Sequence, residues 1–154
     1  MLRLRYGVSF VCYPRPVARE TKGDPFSVRF ASATDRAVAA EARRTRRSKS
    51  AVVEALTEEA MRTRRFPGIA FRGDDASRRP WAIGSGLDLW EICDIVDSFA
   101  SVEKAVVETQ LTERQARLAL AYRDSYPDEI EHAIEENRRP VEEWRELFPF
   151  VRVR

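Results

Sequence analysis

Residues 25–65 read PFSVRFASATDRAVAAEARRTRRSKSAVVEALTEEAMRTRR, and how this stretch is parsed decides the fold. In its first six residues the apolar Phe26, Val28 and Phe30 alternate with Pro25, Ser27 and Arg29. A period of two marks a strand with one buried face, which leaves Ser27 and Arg29 on the open side. Helical spacing follows, with Val38 and Ala42 in one segment and Val52, Val53, Leu56 and Ala60 in the next. The first helix is expected over about 34–45, where Ala37, Ala39, Ala40 and Ala42 favour helix. Ser48 is the natural N-cap of the second.

A six-residue strand cannot stand alone, because its backbone polar groups and its apolar face both need partners. The same strand of a second copy supplies both. Twofold symmetry then places Phe26, Val28 and Phe30 on one face of an antiparallel ribbon over four helices, with Val53 and Leu56 completing the dimer core. A rival pairing exists within one chain. Residues 8–13 could form a hairpin with residues 25–30, which would remove the reason for a dimer.

The order strand, helix, helix resembles the ribbon-helix-helix (CopG/Arc-like) family of DNA-binding proteins. The likeness rests on the alternating strand, the spacing of some seventeen residues to the second helix, and RSKSAVVEAL, a small polar cap before an apolar helix. The family often has Gly just before that cap, and here the position is Arg46. The resemblance implies that Ser27 and Arg29 read bases in the major groove, where an arginine fork fits guanine O6 and N7. It also implies that Arg47, Ser48, Lys49 and Ser50 clamp the DNA backbone, since helix N-termini attract phosphate. Without the resemblance the same turn reads as an ordinary capped turn beside a solvated basic run.

Charge divides the 154 residues in two. Residues 1–66 hold 15 Lys and Arg against 7 Asp and Glu, and residues 67–154 hold 12 against 18. The near-neutral total therefore hides a basic half, suited to a polyanion, and an acidic half that suits a basic protein surface or is simply solvated. The first 24 residues contain Pro14 and Pro16 and a short apolar run without a cleavage pattern. They read as a poorly ordered arm and not as a signal peptide. Cys12 and Cys93 are isolated, and no apolar run approaches the roughly 20 residues needed to cross a bilayer. A cytoplasmic protein without cofactor, metal site or membrane partner is expected.

Beyond residue 65 the stretch FPGIAFRGDDASRRP is punctuated by Gly, Pro, Asp and Ser, which places a boundary near Phe66. A turn at Gly84-Ser85-Gly86 precedes a run of helices. Their markers are Leu89, Ile92, Val96 and Phe99, then Val102, Ala105 and Val106. A third helix opens on a Thr112–Gln115 capping box, and a fourth starts at about Pro127. Pro140 restarts the chain into a last short helix marked by Val141, Trp144 and Phe148. The fold class expected is mainly α with a short β ribbon. Its parts are an arm (1–24), a ribbon-helix-helix unit (25–65), a small helical unit (66–138) and a C-terminal helix and tail (139–154).

The series FPGIAFR, GSGLDLWEI, LTERQARLALAY and YPDEI, over about residues 66–136, resembles a helix-turn-helix-like domain grouped as domain-of-unknown-function family 433. That family occurs in VapB-like antitoxins encoded beside PIN-like ribonuclease toxins. Together the two resemblances imply a bacterial antitoxin that represses its own operon through the front half and holds the toxin inactive through the back half or tail. The apolar ending FPFVRVR either docks on its own domain or carries the toxin contact. In the second case Trp144, Phe148, Phe150, Arg152 and Arg154 are the residues involved. The helix pair 102–109 and 112–122, with Arg114, Gln115 and Arg117 at the start of its second helix, is a weaker candidate DNA reader because this half is acidic.

Nothing argues for catalysis. His132 sits among Glu129, Glu131, Glu135 and Glu136 on a helix, and Asp74, Asp75, Asp94 and Asp97 come without a base or phosphate loop. Ser48 has no histidine partner. A general regulator or a protein-binding dimeric module remains the alternative function.

Overall fold

A computed structural model describes residue 24, residues 27–73 and 78–140, and residues 142 and 143. The described residues form helices α1 (Ser32–Thr45), α2 (Lys49–Arg65), α3 (Leu89–Phe99), α4 (Val102–Glu108), α5 (Glu113–Ser125) and α6 (Pro127–Asn137). Strands β1 (Ile69–Arg72) and β2 (Arg79–Ala82) lie between α2 and α3. Among the described residues the protein is mainly helical, as the apolar spacing implies, with one small antiparallel sheet.

That sheet is not where alternation placed the ribbon. Residues 27–31 carry no regular secondary structure in the single chain, and Pro25 and Phe26 lie outside the described residues. The strands instead come from the punctuated stretch expected to be a boundary loop, with Ile69 opposite Ala82, Ala70 opposite Trp81, Phe71 opposite Pro80 and Arg72 opposite Arg79. Proline is tolerated in β2 because a two-stranded sheet has no central strand. The proposed pairing of residues 8–13 and the last helix from Val141 also fall outside the described residues.

The α1–α2 hairpin closes as its caps dictate. Ser48 Oγ accepts the Ala51 N–H at 3.1 Å, which makes Ser48 the cap expected from its position. The Arg47 amide reaches back to the Ala42 carbonyl at 3.0 Å, and Arg46 takes up the left-handed conformation, φ 53°, that ends α1. Glycine adopts that conformation without the Cβ clash that an arginine bears. Arg46→Gly is expected to stabilise the fold by about 0.5–1 kcal/mol, the relieved strain exceeding the extra freedom of the unfolded chain. Urea unfolding measures it, and a loss of stability would show the turn to be unstrained.

Only Val38, Ala42 and Val52 are buried in the hairpin, with Val53 packed against them. The main core is much larger. It runs from Phe66 and Ile69 through Leu89, Ile92 and Cys93 to Ala119, Tyr122 and Ile130. Helix α3 crosses its centre, packing on α4, α5 and α6. Helices α3, α4 and α5 start on side-chain caps, Asp88 with Glu91, Ser101, and Thr112 with Gln115, while α6 has none and starts on Pro127 in its first turn. Among the described residues no helix is long and apolar enough to cross a membrane.

Candidate nucleic-acid interface and the joint behind it

Ser27 and Arg29 are exposed, at the N-terminal approach to α1. So are their apolar neighbours, Val28 at 53% and Phe30 at 40%. Leu56 of α2 is 49% exposed, and with half-buried Val53 and exposed Thr57, Ala60 and Met61 it makes a stripe at helical spacing along α2. Of the residues expected to form a dimer core, the described ones are thus left partly or largely uncovered by their own chain. Phe26 lies outside the described residues.

The basic turn is already partly engaged. Arg44 is bidentate to Glu41, with nitrogen–oxygen distances of 2.9 and 2.7 Å, and this contact lowers the Glu41 pKa. Arg47 donates to the Ala51 carbonyl at 3.0 Å, and Lys49 pairs with Asp35 at 2.8 Å. Arg43 and Arg46 have no ion pair among the described residues. The Lys49–Asp35 pair is exposed on both sides, and such a pair holds by no more than about 1 kcal/mol, so a phosphate can take the lysine. Ser48 caps the amide of Ala51, while the amides of Lys49 and Ser50 have no intrahelical acceptor. The turn therefore retains donors and mobile cations for an anion.

Behind this surface α2 runs into the main core. Arg62 Nη1 donates to the Tyr122 hydroxyl at 2.7 Å and to Glu129 at 2.5 Å, Nη2 contacts Glu58, and the guanidinium lies 4.1 Å from the centre of the Tyr126 ring. Burial works against the charge on Arg62, but Glu129 beside it outweighs this and keeps the guanidinium protonated. Burial and the same carboxylate push the Tyr122 hydroxyl well above its ordinary pKa, so it stays a neutral donor. Arg65 reaches Ser125 at 3.3 Å, and Arg78 on the sheet side pairs with Glu59 of α2 at 2.7 Å. Phe66, at the compositional boundary, is buried against Tyr122, with ring centres 5.2 Å apart. Helix α2, β1–β2 and α6 border a cleft of about 920 Å³ beside this joint, with Trp90 of α3 in its lining.

Sequence reading missed this joint. Its one local signal is the Glu58–Arg62 spacing of four; Tyr122 and Glu129 are 60 and 67 residues away. It also missed Asp88, which is 2% exposed, caps α3, and pairs with Arg72 at 2.6 Å and Arg79 at 3.2 Å.

The other candidates come apart. Arg117 is held by Glu113 at 2.7 Å and Gln115 is spent on the Thr112 cap, which leaves Arg114 alone of that set without a recorded partner among the described residues. His132 is exposed and 3.7 Å from Glu136. Asp94 pairs with Arg138, and Asp97 pairs with Arg123 at 2.8 Å. Asp74 and Asp75 lie outside the described residues, as do Cys12, Trp144, Phe148, Phe150, Arg152 and Arg154. Among the described residues no three His, Cys, Asp or Glu side chains are grouped to hold a metal. The Cys93 thiol is buried, and burial pushes its pKa up to about 12, so it is a poor nucleophile. Comparison with protein-family models, with curated proteins and with solved structures finds no match for this chain.

Proposed function

We propose that this protein is a DNA-binding antitoxin that works as a homodimer. Two copies share a ribbon built from residues 25–30, Ser27 and Arg29 read bases of duplex operator DNA, and Arg47, Ser48, Lys49 and Ser50 hold its phosphates. The acidic back half, with the tail residues Trp144, Phe148, Phe150, Arg152 and Arg154, takes a PIN-like ribonuclease toxin, a partner drawn from the resemblance to family 433.

The observation that carries the DNA-binding part is the exposure of Val28, Phe30 and Leu56, together with an exposed Arg29 and a capped basic turn. Among the described residues the hairpin buries only three, a small core, and twofold pairing is an arrangement that would cover Val28 and Phe30 while leaving Ser27 and Arg29 out. The surface on which the DNA would lie is the basic half of the chain, as phosphate binding requires.

Leu56→Glu tests it. The variant is expected to remain helical by circular dichroism, to sediment as a monomer where the parent is a dimer, and to lose at least tenfold in affinity for its upstream DNA in a mobility-shift titration. A parent that is already monomeric at micromolar concentration would end this reading. The rival, a protein-binding dimer with no DNA role, draws on the engagement of Arg44 and Lys49 with Glu41 and Asp35. It predicts no shift of upstream DNA at either low or moderate salt.

A further inference from the structure

We infer that helix α2 pairs antiparallel with α2 of a second copy of this chain, about a twofold axis that passes between Thr57 and Ala60. The inference rests on the homodimer in the function proposed above, and on neither its ribbon nor its DNA. It starts from the two faces of α2. At about 100° per residue, Ala55, Glu58, Glu59 and Arg62 fall on one side, and they line the cleft towards the back half. The opposite side carries Val53, Leu56, Thr57, Ala60, Met61 and Arg64, and all but half-buried Val53 are exposed in the single chain. Leu56 is 49% exposed and Met61 61%.

That face is symmetric in its spacing. Val53 with Arg64, Leu56 with Met61, and Thr57 with Ala60 are all centred on one point, between Glu58 and Glu59 in the chain. A twofold contact requires such a patch, because what one copy offers on one side of the axis it must receive on the other. Antiparallel pairing sets Thr57 of each copy against Ala60 of the other, where small side chains let the two backbones approach. Leu56 of the two copies then meets on one side of this centre and Met61 on the other, which takes both out of water. Charge selects the direction. The acids Glu54, Glu58 and Glu59 precede the bases Arg62, Arg64 and Arg65 along α2. Parallel pairing would stack Arg64 on Arg64, whereas antiparallel pairing brings it beside Glu54 of the second copy, with its stem over Val53. Arg64 is exposed and has no ion pair among the described residues. Opposed helix dipoles favour the same direction. The two basic turns then stand at opposite ends of the pair, roughly 28 Å apart along its axis, and the two back halves lie on its outer sides.

Cysteine cross-linking tests the pair, in proteins that also carry Cys12→Ser. A mixture of Thr57→Cys and Ala60→Cys chains is expected to oxidise to the mixed disulfide-linked dimer in preference to either same-variant dimer, since only facing positions come within the reach of about 4.4–6.8 Å between Cα atoms that a disulfide spans. Ala60→Arg, at an exposed position, is expected to keep the helix content and to weaken self-association at least tenfold in sedimentation. Arg64→Glu is expected to weaken it as well, and Glu54→Arg added to the same chain to restore it. A dimer that gives no mixed link and keeps its affinity in Ala60→Arg overturns the pair while leaving the homodimer reading intact. A chain that stays monomeric overturns both. A mixed link in a protein that shifts no DNA upholds the pair and ends the DNA reading alone.

Discussion

Replacing Arg62 by alanine is expected to lower stability by about 2–3 kcal/mol, a large fraction of what a domain of this size possesses. The guanidinium ties α2, α5 and the start of α6 together, through Glu58, the Tyr122 hydroxyl, Glu129 and the Tyr126 ring. Breaking a buried ion pair costs about 3–5 kcal/mol when the surviving charge is stranded. Here the loss is smaller, because Glu129 is 35% exposed and keeps the Tyr122 hydroxyl at 3.2 Å. The Arg62 side chain is only 16% exposed, so its removal also opens a void against Tyr126. The midpoint of thermal unfolding should fall by about 5–10 °C. A change below about 1 kcal/mol would mean that the apolar contacts of Phe66, with the Arg65–Ser125 and Arg78–Glu59 contacts, suffice to hold α2 to the back half.

Under the DNA-binding function proposed above, Arg29→Ala is expected to remove about 10- to 100-fold of the preference for operator over random DNA, the equivalent of one lost guanine contact at about 1–3 kcal/mol. Arg29 is exposed and has no ion pair among the described residues, so the substitution removes no contact that they make. Lys49→Ala serves as the contrast. It should weaken binding to all sequences alike and flatten the dependence of log K on log salt by about 0.9. The two variants together separate reading from clamping. Undiminished discrimination in Arg29→Ala would remove that residue as a reader, whatever the dimer does.

The back half was legible in the sequence where local physics decides. Leu89, Ile92 and Val96 mark α3 by their spacing, and Thr112 caps α5 where its capping box puts it, as Ser48 caps α2 in the front unit; the Ser101 cap of α4 went unread. Sheet residues were harder, because a strand is defined by what it pairs with. The alternation of Phe26, Val28 and Phe30 is a strand signal, yet residues 27–31 take no regular structure in the single chain. Ile69–Arg72 and Arg79–Ala82 are too short to show a period and are bounded by the same Gly, Pro and Asp that mark loops. The candidate interface was visible as composition, but its pairings were not. Nothing local announces that Asp35 holds Lys49 across fourteen residues, or that Tyr122 and Glu129 converge on Arg62.

Helix α2 is seventeen residues long and unbroken, with Val52 seated in the small hairpin cluster near one end and Phe66 in the main core just past the other. At about 1.5 Å per residue it is a strut of roughly 25 Å, and each residue along it turns the next by about 100°. The number of residues between Val52 and Arg62 therefore sets the azimuth at which the basic turn faces relative to α5 and α6. Natural lengthening or shortening of this strut by a single residue would swing one end around the axis while leaving every local contact chemically intact. Changes of a whole helical turn would preserve the phase and alter only the spacing.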